Sequence, residues 1–312
     1  MTRLIFRQNI NDAAALLNAG ELVAFPTETV YGLGADATND LAVAAIFAAK
    51  NRPSFNPLIV HVADIEIAET LVTFSPEARA LADAFWPGPM TLVLPQKANA
   101  GLSDLVTSGL DTVGIRVPAH PLAQELLRQA GRPIAAPSAN PSGKISPTTA
   151  EHVLSGLEGR IAAVVDGGPC AVGLESTIFG GDPITILRPG GISIEQAQDV
   201  LGRDIARHIP ADMPTAPGQL ASHYAPEALI TLDVETPGDA PHLGFGAGRA
   251  DLNLSESGDL IEAAANLFSM LREMDTLAGQ SGAGRFTVAP IPDAGLGHAI
   301  RDRLKRAAAP RP

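Results

Sequence analysis

The chain has 312 residues, 46% of them hydrophobic and 18% charged, and its net charge is −12. That is enough apolar material for one large domain or two ordinary ones, no apolar run reaches the length of a membrane span, and the acidic balance argues against broad, nonspecific nucleic-acid binding. A single cysteine, Cys170, excludes an internal disulfide and a cysteine-rich zinc site, and an N-terminus without a signal-peptide stretch fits a reducing cytoplasm.

Strand-like and helix-like patterns alternate through the first two thirds. A helix at residues 12–19 stops at Gly20 and leads into an apolar strand at 22–25. At the exit of that strand, Pro26-Thr27-Glu28-Thr29-Val30-Tyr31-Gly32-Leu33-Gly34 crowds hydroxyls, a carboxylate and a phenol, and the two glycines predict a tight backbone turn. An alanine-rich helix at 41–50 ends on Lys50, with Arg52 two residues on. Read as extended, this segment lets both cations point into one cleft. A strand at 58–62 carries His61. A helix at 76–85, strands at 91–94 and 112–117, a helix at 121–130 and a strand at 134–136 follow. Pro76 and Pro121 sit near helix starts, where a missing N–H costs least. A helix at 148–157, strands at 162–165, 177–179 and 184–187, and a helix at 194–201 complete this unit. Several strands follow one another without an intervening helix, which predicts a mixed rather than a purely parallel sheet.

Three prolines and a glycine at 209–218 mark a linker after Arg207. A smaller α/β unit begins near Ala228, with strands at 229–232, 242–245 and 286–289 and helices at 259–277 and 296–308. The expected division is 1–207, a linker at 208–227 and 228–312. Gly244, Gly246 and Gly248 make no convincing nucleotide loop. The terminal cations Arg301, Arg303, Lys305, Arg306 and Arg311 read as a solvated helix face, with RNA or partner contact as the alternative. Cys170, without an evident partner base, reads as a plain small residue.

Several residues point to chemistry. A close Lys50/Arg52 pair in an acidic chain suggests a specific anionic ligand; taken alone, a surface salt bridge explains it as well. Strand alternation puts Thr112, Gly114 and Arg116 on one face. An arginine among apolar strand residues needs an anion, either a core carboxylate or a ligand. A lone histidine such as His61 on an apolar strand is more often a satisfied core residue than a ligand contact. The hydroxyl-rich loop from Ala135 to Thr148 suits phosphate oxygens, while Ser146 before Pro147 also suits a helix cap. His223 and Tyr224 sit in the linker, where an aromatic has no evident core to fill.

Together with Ser138-Ala139-Asn140, Ser146-Pro147-Thr148, Glu175-Ser176-Thr177-Ile178 and Arg188-Pro189-Gly190, the runs at 26–34 and 50–62 resemble the YrdC-like threonylcarbamoyl-AMP synthases. His223-Tyr224-Ala225-Pro226 resembles the long, two-domain form, and the resemblance covers nearly the whole chain. It implies a YrdC-like α/β domain, a mixed twisted sheet flanked by helices, plus a smaller Rossmann-like α/β domain. It also implies the joining of L-threonine, bicarbonate and ATP into L-threonylcarbamoyl-AMP with release of pyrophosphate, the first step of threonylcarbamoyladenosine formation in tRNA. Mg²⁺ would accompany ATP, with no metal ligands from protein side chains. By resemblance Lys50 and Arg52 are the catalytic cations. Thr27, His61, Arg116, Ala136 through its backbone, and Ser176 face threonine. Arg52, Asn56, Thr112, Ser138, Ser146, Arg188 and Tyr224 contact the nucleotide. The linker folds over the site, although Gln219 and Ala221 stand where some relatives carry basic or aromatic residues. The product would pass to the tRNA threonylcarbamoyl transferase complex.

Two other readings compete. A non-catalytic RNA-binding module predicts a basic, aromatic-bearing surface, against 4% aromatics and the acidic balance here. Hydrogenase-maturation relatives carry acylphosphatase and zinc-finger parts, for which this chain lacks cysteine pairs and length.

Overall fold

The structure, a computed structural model, describes residues 1–207 and 223–310. The expectations for 208–222, including Gln219 and Ala221, and for Arg311 lie outside the described residues.

One ten-stranded sheet contains β1 (Arg3–Ile5), β2 (Val23–Phe25), β3 (Gly32–Asp36), β4 (Ile59–His61), β5 (Met90–Pro95), β6 (Thr112–Arg116), β7 (Ile134–Ala135), β8 (Ala163–Val165), β9 (Thr177–Gly180) and β10 (Thr185–Arg188). Its order is β1-β8-β2-β3-β7-β4-β6-β5-β9-β10. Parallel pairs such as β4–β6 and β5–β9 alternate with antiparallel pairs such as β2–β3 and β5–β6, so the sheet is mixed, as expected. Around it lie α1 (Ile10–Asn18), α2 (Asp40–Lys50), α3 (Ile65–Leu71), α4 (Pro76–Phe85), α5 (Asp104–Thr107), α6 (Pro121–Ala130), α7 (Ala150–Leu157) and α8 (Ile194–Leu201).

Strand alternation builds two helix layers. Val23 and Phe25 pack into a core with α1 and α6, whereas Ala24 packs into the opposite core with α2, α3, α4 and α7. The helices that match their sequence expectation residue for residue are those with strong end signals. Ser75 caps α4 ahead of Pro76, and Ser193 and Gln196 form a capping box on α8. Gly131 and Gly202 end α6 and α8 in the left-handed conformation.

Two local expectations fail. The glycines at 32 and 34 lie in β3 rather than in a turn. A Cβ on Gly34 would stand 2.9 Å from the Phe25 ring and 3.0 Å from Ile134, so the glycine makes room for a neighbouring side chain. The turn falls earlier, where the Thr27 hydroxyl accepts the amides of Thr29 and Val30. The Lys50–Arg52 segment is not extended either. Lys50 closes α2, and Asn51 is its left-handed cap with φ 52°.

The second unit has a parallel sheet of β11 (Leu229–Thr231), β12 (His242–Gly244), β13 (Leu252–Asn253) and β14 (Arg285–Val288), in the order β11-β14-β12-β13. It packs with α9 (Leu260–Gln280) and α10 (Gly297–Ala308). Its core, around Leu267, Phe268, Leu271, Phe286 and Ile300, also takes in Val30, Ile145 and Leu174 from the first unit. Contact is close: a Cβ on Gly173 would meet the Ala265 backbone of α9 at 2.5 Å. Among the described residues no helix is long and apolar enough to cross a membrane.

Candidate active site

The ends of β4 and β6, the turn after β2, the loop after β7, the loop into β9 and the end of β10 open onto one cleft. In-register parallel pairing sets His61 beside Arg116 at the mouth. Thr27, Arg52, His61, Arg116, Ala136, Ser138, Ser176, Arg188 and Tyr224 all line this space. The chain therefore gathers nine residues chosen from the sequence, spanning almost 200 positions, into a single site.

Other expected residues stand behind the wall. Lys50 is buried, and its ammonium donates to the carbonyls of Ser138 and Asn140, which fixes the loop that presents Ser138. Ser146 donates its hydroxyl to Glu175 Oε1 at 2.6 Å. Asn56 is buried without a hydrogen-bond partner for either side-chain atom among the described residues. Thr112 lies at the far end of β6, half-buried opposite Pro95, and does not line the cleft. It shares a face with Arg116, but three residues of strand lie between them.

Arg116 illustrates how the site is held. Its Nη2 donates to Glu28 Oε1 at 2.6 Å, its Nη1 to Thr29 Oγ1 at 2.8 Å and its Nε to the Gly88 carbonyl at 3.3 Å. The core carboxylate expected as one alternative is therefore present, as Glu28. Three of five N–H groups are engaged, and among the described residues one remains on each Nη, the pattern that grips a carboxylate twice. Neighbouring His61 is buried and held neutral, down to about 3, by burial and then by Arg116.

A second pole is more strongly positive. Arg52 anchors its guanidinium on the carbonyls of Asn56 and Pro57. Arg188 donates to the Ser176 carbonyl at 2.9 Å. Burial and then Arg188 lower Arg52 to about 10, while burial and then Arg52 push Lys50 well below its ordinary value. Like charges buried together favour a bound polyanion.

Sequence reasoning did not select Thr29, Glu175 and His223 as site residues, yet all three line the cleft. Each lay inside a motif already noticed. Tyr224 needs a correction. It does have a core to fill: it is buried against Phe268, with ring centroids 5.3 Å apart, while still facing the cleft. Its backbone is left-handed at φ 63°, and the Ala225 amide bonds the Gly143 carbonyl at 2.9 Å, which ties the segment to the Ser138 loop. The solvated-face reading of the last helix fails for Arg303, which is fully buried because it pairs with Glu175 and the Pro189 carbonyl. Cys170 is a buried thiol pushed up to about 12 by burial, so it is inert as expected. Among the described residues no group of three or more His, Cys, Asp or Glu gathers to hold a metal.

Comparison with known proteins agrees over most of the length. Residues 15–190 match the Sua5/YciO/YrdC family, described as "Telomere recombination", and residues 192–309 match "Threonylcarbamoyl-AMP synthase, C-terminal domain". The threonylcarbamoyl-AMP synthase of Bacillus subtilis is 46% identical, over 96% of this chain and 92% of its own. That of Vibrio vulnificus is 38% identical over 51% of this chain and 86% of its own. The crystal structure of Pyrococcus abyssi Sua5 complexed with L-threonine superposes with a TM-score of 0.88 at 40% identity, covering 99% of this chain and 97% of that one.

Proposed function

The chain belongs to the Sua5/YciO/YrdC family in the form that carries the threonylcarbamoyl-AMP synthase C-terminal domain, and we propose that it joins L-threonine, bicarbonate and ATP into L-threonylcarbamoyl-AMP and pyrophosphate. One observation carries this reading: a single cleft holds two anion-binding poles, Arg116 at one and the Arg52–Arg188 pair at the other. A substrate pair with a carboxylate on one member and a polyphosphate on the other calls for that arrangement.

In this reading Arg116 grips the threonine carboxylate through its two remaining N–H groups, and Thr27, Ser176 and neutral His61 orient the amino acid. A neutral imidazole beside the substrate amine adds no positive charge, so the ammonium can release its proton to solvent and the neutral amine can add to the carbon of bicarbonate, which loses water to leave the carbamate. The carbamate oxygen then attacks the α-phosphorus as pyrophosphate leaves. No covalent link to the protein is required. Arg52 and Arg188 offset the charge that develops on the phosphates, and Ser138 with its loop amides adds hydrogen bonds. Lys50 contributes by rigidity, holding the Ser138 loop through the carbonyls of Ser138 and Asn140. Mg²⁺ would enter as the ATP chelate, a role that asks for no cage of protein ligands. Tyr224 covers the nucleotide side and keeps water from a labile mixed anhydride. The product would be handed to a tRNA threonylcarbamoyl transferase.

The test is incubation with ATP, labelled bicarbonate and each amino acid in turn. Pyrophosphate release is expected only when threonine and bicarbonate are both present. Release that ignores either one, or that accepts amino acids without discrimination, overturns the assignment.

A further inference from the structure

Glu175 is the acidic member of the cleft lining. A carboxylate in a wall that receives a polyphosphate repels it, and little solvent is present to screen the repulsion, because Glu175 is only 6% exposed. The structure pairs this charge from the other unit. Arg303 of α10, itself 0% exposed, donates from Nε to Glu175 Oε2 at 2.9 Å. Its Nη1 donates to the carbonyl of Pro189, the residue after Arg188, at 2.8 Å. Its guanidinium also lies 5.6 Å from the Tyr224 ring centroid. Asp302, which contacts Arg303 at 2.9 Å, is separately matched by Arg306 at 3.0 Å, so Arg303 remains available to Glu175.

We propose that Arg303 is a positioning residue for nucleotide binding: through its ion pair it cancels the Glu175 charge at the polyphosphate wall and aims that carboxylate at Ser146 rather than at the ligand. The C-terminal unit therefore raises the potential of a site built almost entirely by the first unit, by pairing the carboxylate that would lower it. A tether alone would not call for this pair, because a buried ion pair gives little net stability over apolar residues of the same volume. Burial works against an ionised Glu175, yet Arg303 and then Arg188 overcome it and hold the acid down to about 2, so the carboxylate is charged and its partner matters. This inference rests on the nucleotide reading above.

The experiment compares Arg303→Met, Glu175→Gln and the double variant with the wild-type full chain. Calorimetry measures the dissociation constants of ATP, inorganic tripolyphosphate and threonine, with circular dichroism as the check on folding. Arg303→Met is expected to weaken ATP and tripolyphosphate at least about tenfold, the scale of one uncompensated charge near a buried ligand, and threonine much less. The double variant is expected to return to within about threefold of Glu175→Gln alone, since removing both charges leaves none unpaired. That comparison decides the matter even if Arg303→Met does not fold. A double variant that stays as weak as Arg303→Met, or weaker than Glu175→Gln by tenfold, overturns the proposal in favour of a mere tether. Equal loss of threonine and polyphosphate binding in Arg303→Met overturns it too. Arg303-dependent tripolyphosphate binding in a protein that releases no pyrophosphate from ATP would sink the synthase reading and keep this one. A wild-type chain that binds neither polyphosphate overturns both.

Discussion

Arg52 carries its charge at a site where burial and Arg188 both resist it. The free protein therefore holds an unfavourable cluster, which bound phosphate would relieve in the proposed reaction. Arg52→Ala is expected to slow pyrophosphate release at least ~10²-fold, measured under saturating threonine and bicarbonate. Arg116→Ala acts at the other pole. Calorimetric titration should show threonine binding weakened about tenfold or more with ATP binding changed less; the reverse order would reassign Arg116 to the nucleotide. The buried histidines contribute to stability in mild acid. His61 and His223 are each held down to about 3, chiefly by burial. Between about pH 6.5 and 3 the unfolded chain takes up protons that the fold refuses, so their contribution is complete above about 6.5 and is lost as pH falls. The loss is ~1.4 kcal/mol per pH unit for each histidine. Urea unfolding at pH 7 and pH 5 should show the drop, and His61→Asn should make it shallower. Arg116 and Arg52 were visible as residues that needed an anion. Glu175 was not, because a glutamate ahead of a serine has no periodicity or spacing that marks it as facing a cleft.

At the scale of elements, end signals decided how much was legible. α4, α6 and α8 carry a proline or a capping box at the start, or a glycine beyond the end, and their bounds follow from the sequence. β1, β3, β13, α3 and α5 were missed, most of them short and β3 disguised by two glycines. Glycine in β3 answers to Phe25 and Ile134, neighbours that only folding brings near. Gly173 is the more consequential case. It sits at φ 70° with α9 directly against it, and α9 carries the Phe268 that backs Tyr224. Gly173→Val should lower the unfolding temperature and raise the KM for ATP, because α9 must move away from the site. Gly101→Ala is the control. It also has a positive φ but nothing within 4 Å of a Cβ, so it should show only the backbone cost of about 1 kcal/mol and an unchanged KM.

Over the whole molecule, the two units meet across the active site rather than beside it. Val30, Ile145 and Leu174 belong by sequence to the first unit but are buried in the core of the second. Tyr224 stands at this junction, packed on Phe268 and facing the cleft. Tyr224→Ala should raise the KM for ATP and increase adenylate hydrolysis in the absence of an acceptor. Substrate-dependent protection from proteolysis near position 224 should be lost in that variant. Equal cleavage of the wild type with and without ATP and threonine would mean that Tyr224 only joins the two units. The sequence by itself determined the alternation of strands and helices, the mixed sheet and the smaller α/β unit, because hydrophobic period and caps are local properties of the chain, whereas most residues of the cleft came from the resemblance of its short motifs to a known family. Tertiary structure alone decided that Lys50 and Ser146 stand behind the wall, that Thr112 lies away from it, and that Arg303 crosses from the last helix to neutralise Glu175. Those outcomes depend on which side chains meet across 29 to 128 positions of chain, and such meetings are set by packing and by the low dielectric of the interior, which no local pattern encodes.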